Sequence, residues 1–450
     1  MRRFALLIAL MMSACIDAAG PRPRPGGQPD QPQTASVNLL YYELQPRVVT
    51  QGVTDSVRLT VVLDNTATLV YLEPRNGTVI ELPRTGNNTY SAKISASTLL
   101  FGYRQGDLRS TVGFLKVNLG TVTEETPLLV NVKDATVPTI TPLSIASGVQ
   151  AGTHVVNMRF DSLYLGGRFP ANVMKAFYAN FPDAYTFAAV VEQVQTPNAH
   201  FLTIVRNGLR GIGLQVFDNG APYGSAAALE GVVDYPDDTQ FDPAQASNLH
   251  ELAHRWMNAL RLPSLQPGKP HWPLSDIANG MLGWSDPASG DALVFPFVLN
   301  PNANGTFSLL FNDTPRTFND LELYLMGLLP PDSVKSHIVF LNQNQRTSVR
   351  LNGILLGPVD TVTAARIIAT EGARQPVYAA AQKNFPMVTI VLSRGGLLSR
   401  DELSFFEYMA ARGEQREALP YFNGAARGVT LPFYSATGGR GTLTTTLSAR

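Results

Sequence analysis

Between Asp242 and Pro263 the chain reads DPAQASNLHELAHRWMNALRLP, with His250 and His254 four residues apart. Asp242 is suited to cap a helix and Pro243 to occupy its first position. Leu249, Leu252, Ala253, Trp256 and Leu260 recur at helical spacing and form one apolar face, and Pro263 ends the pattern. The spacing therefore predicts a helix from Asp242 to the Pro263 stop. On that helix both imidazoles project from one side and can hold a single zinc ion. Glu251 follows the first histidine directly, where a carboxylate can take a proton from a metal-bound water. The chain has only six histidines, so a pair at this spacing constrains the fold around it.

The rest of the chain divides by composition. Arg2 and Arg3 followed by the apolar run Phe4 to Met12 read as an export signal, too short to span a bilayer. Met12-Ser13-Ala14-Cys15 resembles the lipobox of bacterial lipoproteins, with Met where Leu is usual, so residues 1–15 are expected to be a signal peptide and Cys15 a lipidation site. Plain secretion is the alternative. Cys15 is the only cysteine, which excludes an intrachain disulfide. Residues 16–36, rich in Pro, Gly and Gln, read as an extended tether.

From 37 to 135 short β-type runs alternate with turn signals such as Asn76-Gly77. A sandwich of about seven strands is expected, similar in architecture to immunoglobulin-like (Ig-like) modules. It reads as a spacer or a binding module. Residues 134–152 read as a linker, and 150–450 as a second domain of α+β type. There Pro170 to Phe181 has helical spacing and Thr186 to Glu192 reads as a buried strand. Leu202 to Arg206, Gly211 to Phe217 and Ala227 to Val233 are further strand candidates.

The run His250-Glu251-Leu252-Ala253-His254-Arg255-Trp256, with His271-Trp272, Leu321 to Gly327 and the late Gly438 to Thr442, resembles a group of secreted bacterial zincin-type (HExxH) metallopeptidases. The similarity runs from about Asp161 onward. It implies a zincin-like catalytic domain behind the Ig-like sandwich, with Zn2+ as cofactor and a third protein ligand. The metzincin pattern would place that ligand at residue 260, which is leucine. His271, seventeen residues after His254, is expected to fold back to the metal. Glu322 is the alternative third ligand. It lies early in a short helix that starts at a capping box in Thr317 to Asp320 and runs to Gly327. Tyr324 could stabilise an oxyanion, and Met326 could lie beneath the metal. Trp256, Trp272 and Trp284 line a cleft or pack a core. His154, His200 and His337 show no partner spacing.

Lys plus Arg and Asp plus Glu number 35 each, so nothing draws the chain to nucleic acid. The expected function is peptide-bond hydrolysis, with Glu251 as general base and Ala227 to Val233 as an edge strand pairing with the peptide or protein substrate. The expected location is the bacterial membrane, reached through the lipid anchor and facing the periplasm or cell exterior. A catalytically silent surface adhesin and a zinc amidase acting on cell-wall material remain alternatives.

Overall fold

The computed structural model describes residues 38–118, 120, 123–163, 171–257, 259–285, 292–293, 297–312, 314–345, 353–422 and 428–448. Cys15 and the tether lie outside them.

The first part of the chain forms two sheets around one core. One sheet runs in the order Leu39–Gln45, Ser56–Leu63, Thr89–Ser95, Arg84–Gly86. The other runs Val48–Thr50, Thr123–Lys133, Arg109–Asn118, Leu69–Pro74, Ile80–Glu81. Alternation drives the packing. In Ser56–Leu63 every second residue (Val57, Leu59, Val61, Leu63) is buried, and all four share one core with Leu115, Val130 and other residues of the opposite sheet. Each such side chain contributes about 1.5–3 kcal/mol.

This unit is sewn onto the rest of the chain. Arg47 is buried, and its guanidinium donates to Asp238 Oδ2 at 3.1 Å, Leu392 O at 2.6 Å and Glu192 O at 2.7 Å. Arg109 donates to Phe422 O at 2.6 Å and Phe241 O at 2.8 Å. Tyr42 and Gln195 exchange two backbone bonds of 2.8 Å. Satisfying each buried guanidinium needs carbonyls of the second unit, which a spacer on a free linker would not provide.

The expected linker is part of the second sheet. Leu143–Ala146 and Val149–Ala151 begin an eight-stranded sheet of order Leu143–Ala146, Val149–Ala151, Val155–Arg159, Asn384–Ser393, Phe187–Val191, Gly231–Tyr235, Phe201–Ile204, with Thr442–Thr444 beside Asn384–Ser393. The four strands from Val155–Arg159 to Gly231–Tyr235 are parallel. They are apolar almost throughout because both faces are covered. Helix Ala171–Tyr178 packs on one face through Val173, Met174 and Phe177. The helix carrying His250 packs on the other, together with Arg400–Ala411.

Gly231–Tyr235 is therefore an inner strand, not the edge expected from Ala227 to Val233. The edge is Phe201–Ile204, antiparallel to it. A run of buried valines cannot by itself report that Phe187–Val191 and Phe201–Ile204, both earlier in the chain, flank it on either side. Gly211 to Phe217 forms no strand apart from the start of the pair at Phe217–Asp218.

Candidate metal centre

The motif helix spans only Ala246–Ala253. Asp242 does not cap it. Its carboxylate accepts Arg412 Nε and Nη2, each at 3.1 Å, and Ala244 N at 3.1 Å, so the chain makes a turn before the helix begins. The start is fixed instead by Asn248, which donates to Pro243 O at 3.0 Å and accepts the Tyr235 hydroxyl. At the other end His254, Arg255 and Trp256 donate to the carbonyls three residues back, the tight turn that closes many helices. Beyond it Arg255 is drawn to Glu230 Oε2 at 2.7 Å and Asn207 Oδ1 at 3.1 Å.

His250 and His254 nevertheless share a face, with ring centroids 4.9 Å apart. His271 joins them, 5.1 Å from His250 and 5.2 Å from His254. One nitrogen from each ring lies within 4.8 Å of the others. Two local features bring His271 back. Its amide donates to Gly268 O at 2.7 Å, and Gly268 has no room for a side chain, since a Cβ there would stand 1.9 Å from Pro273 N. Trp272 then donates its amide to Gly283 O at 3.0 Å, which anchors the loop to the segment before Trp284.

Glu322 is buried but does not join the histidine group. Its oxygens accept Trp272 Nε1 at 3.0 Å, Met281 N at 2.9 Å, Leu282 N at 3.0 Å and Asn319 N at 3.0 Å. The last bond closes a capping box with Asn319 at the start of helix Asp320–Met326, so the box is formed by Asn319 and Glu322. Gly280 permits this approach, because a Cβ there would stand 2.4 Å from Glu322 Oε2. Glu322 thus holds the Met281 peptide, and Met281 O in turn accepts His250 Nδ1 at 3.0 Å and Arg316 Nη1 at 3.1 Å. A carbonyl only accepts, so the His250 proton sits on Nδ1 and its Nε2 is the unprotonated nitrogen.

Burial dominates the electrostatics. It pushes the His250 imidazolium well below its ordinary value, helped by His254, His271 and Arg316. It lowers His254 to about 3, with His271 adding to the effect, and His271 to about 4, with Arg316 adding to the effect. All three rings are therefore neutral near pH 7, the form that ligates metal. Both ring nitrogens of His271 are buried with no hydrogen-bond partner among the described residues. Three neutral imidazoles, one with unspent nitrogens, fit a zinc ion with an open fourth position.

Tyr324 sits two positions beyond Glu322, a step of about 200° around the helix. Its hydroxyl is raised by burial and lies in the field of Arg374, which binds Leu325 O and Met326 O at the helix end. Met326 is a buried core residue. The three tryptophans are at most 2% exposed, so they pack core and line no open cleft.

His200, read as having no partner, is beside Glu251. Its Nε2 lies 3.8 Å from Glu251 Oε1, its Nδ1 is 2.9 Å from Gln240 Oε1, and its ring stacks on Tyr235 at 5.6 Å. The signal for it is topological: edge strand Phe201–Ile204 pairs with Gly231–Tyr235, and no local spacing records that.

No family model matches the chain, and comparisons with curated proteins and with solved structures found no match.

His337 clamps the site from behind. Its Nε2 is 2.8 Å from Asp320 Oδ1 at the start of the capping-box helix, and its Nδ1 is 3.2 Å from Asp276 Oδ1 on the segment after His271. Burial alone would lower its imidazolium, but hydrogen bonds to Asp276 and Asp320 outweigh that and raise it to about 9. A group raised on folding stabilises fully below its unfolded value near 6.5 and loses that contribution as pH climbs through about 9. Unfolding by urea should therefore show stability falling by up to roughly 3 kcal/mol from pH 6 to 10. His337→Asn should flatten that slope, and an unchanged slope would remove the clamp.

Proposed function

We propose that this chain is a zinc-dependent peptide hydrolase, exported and held at a membrane by a lipid on Cys15. One observation carries the catalytic reading: His250, His254 and His271 converge while Glu251, beside His250, is presented from the same helix. When bound by the three imidazoles, zinc would supply Lewis acidity toward a carbonyl oxygen and lower the pKa of a water. Glu251 accepts the proton of the attacking water on its carboxylate and delivers it to the leaving amine nitrogen. Glu322 and Met281 keep His250 in one tautomer. Strand Phe201–Ile204 offers an edge to which an extended peptide can add, ending beside His200 and therefore near Glu251. The catalytic reading is tested by zinc content and by turnover of a peptide library with the parent and with Glu251→Gln.

The anchor rests on the Met12 to Cys15 run. Labelled diacylglycerol should enter the parent protein, and Cys15→Ser should move the chain from the membrane fraction to the soluble one. A Cys15→Ser chain that still sediments with membranes contradicts the anchor.

A further inference from the structure

The segment Asp237 to Phe241 joins the inner strand Gly231–Tyr235 to the turn before the motif helix, and the N-terminal sandwich grips it at two points. At Asp238, Arg47 Nε donates to Oδ2 at 3.1 Å and Asn131 Nδ2 donates to Oδ1 at 3.0 Å. At Phe241, Arg109 Nη2 donates to the main-chain oxygen at 2.8 Å, while its Nε donates to Asn131 Oδ1 at 3.3 Å. Arg47, Arg109 and Asn131 are all buried. Buried polar groups that satisfy one another in this way have one low-energy arrangement, so the segment is held in place from the sandwich.

Gln240 sits between the two grips, and its Oε1 lies 2.9 Å from His200 Nδ1. The His200 ring stacks on Tyr235 with 12° between the planes. Tyr235 in turn donates its hydroxyl to Asn248 Oδ1 on the motif helix. The second nitrogen of His200, Nε2, lies 3.8 Å from Glu251 Oε1, and both side chains are buried. The imidazole thus has Gln240 at one nitrogen, Tyr235 on its face and Glu251 beyond the other nitrogen. A rigid ring at that distance bounds the space open to the Glu251 carboxylate. Contacts of a general base are often this long before substrate binds and shorten in the complex.

We propose that His200 is a positioning residue for Glu251, and that the N-terminal sandwich holds it there through Asp238, Phe241 and Gln240. The sandwich is then part of the hydrolytic site's support, neither a spacer nor a separate binding module. This rests on the hydrolase reading. Moving a catalytic group by about 1 Å costs on the order of a hundredfold in rate, so a grip that does not touch Glu251 can still govern turnover.

The test measures steady-state hydrolysis of the peptide library by the purified zinc-loaded chain, with zinc content and thermal unfolding recorded. His200→Ala should lower kcat by roughly ten- to a hundredfold, with KM and zinc content unchanged. His200→Gln, which keeps a polar group at similar reach, should recover part of the loss. Gln240→Ala should lower kcat less, and adding it to His200→Ala should cost nothing further, because both act through one contact. The sandwich arm has a readout apart from activity. In the metal-free chain, the nitrogen-15 signals of the His200 ring should shift in Asn131→Ala as they do in Gln240→Ala. Unchanged signals in a folded Asn131→Ala chain overturn the role of the sandwich. A parent that turns over peptide beside a His200→Ala chain of equal kcat overturns the positioning role alone. So does a loss in His200→Ala that His200→Gln does not relieve. A zinc-loaded parent with no turnover overturns the hydrolase reading and this proposal with it.

Discussion

Glu251→Gln should leave one zinc per chain in place and lower peptide hydrolysis by roughly 10²- to 10⁴-fold. The amide matches the carboxylate in shape, so the buried position is still filled and the packing of Leu249 and Leu252 is undisturbed. The three histidines keep their arrangement, because His250 is fixed through Met281 and not through residue 251. What is lost is the capacity to accept a proton. Removing a buried negative charge also relieves desolvation, so thermal stability should hold or rise. That separates a chemical defect from a folding defect. Equal turnover by parent and variant would exclude Glu251 as the base.

His271→Ala and Glu322→Gln should differ in kind. His271→Ala removes one of three ligating rings, and zinc affinity should fall further than the roughly ten- to hundredfold typical of losing a supporting partner. Glu322→Gln should fall within that smaller range. Its carboxylate accepts four N–H groups, and an amide turns one acceptor into a donor facing them. The Met281 peptide should loosen, and with it the hold on His250. Glu322→Gln should therefore also cost stability, by about 1–3 kcal/mol for each N–H left unpaired. Chelator competition measures both affinities, and urea unfolding of the metal-free forms measures the second effect. Loss of zinc by Glu322→Gln with retention by His271→Ala would invert the assignment.

Much of this was legible from local pattern. The first unit reads as short strands between turns, and Ser56–Leu63 alternates buried and outward residues as that reading requires. The pair His250 and His254 needed only a single turn of helix, and a two-turn helix is enough. Its true ends were not legible, since Asp242 is claimed by Arg412 from 170 residues away and Arg255 by Glu230. The choice between His271 and Glu322 depends on long-range placement in the same way. Both residues come close to the motif, but Trp272 and Leu282 occupy Glu322 Oε1 and Met281 and Asn319 its Oε2, while Gly268 turns His271 inward. Strand Asn384–Ser393 inserts between Val155–Arg159 and Phe187–Val191, and that order cannot be read from any one apolar run. His200 acquires its neighbour Glu251 only through the edge-strand pairing.

The most direct test is elemental analysis of the purified chain, beside a His250→Ala, His254→Ala double variant whose circular dichroism matches the parent. The account predicts one zinc per parent chain and none in the double variant. A folded parent without stoichiometric zinc, or a double variant that keeps it, would contradict the histidine group as a metal centre.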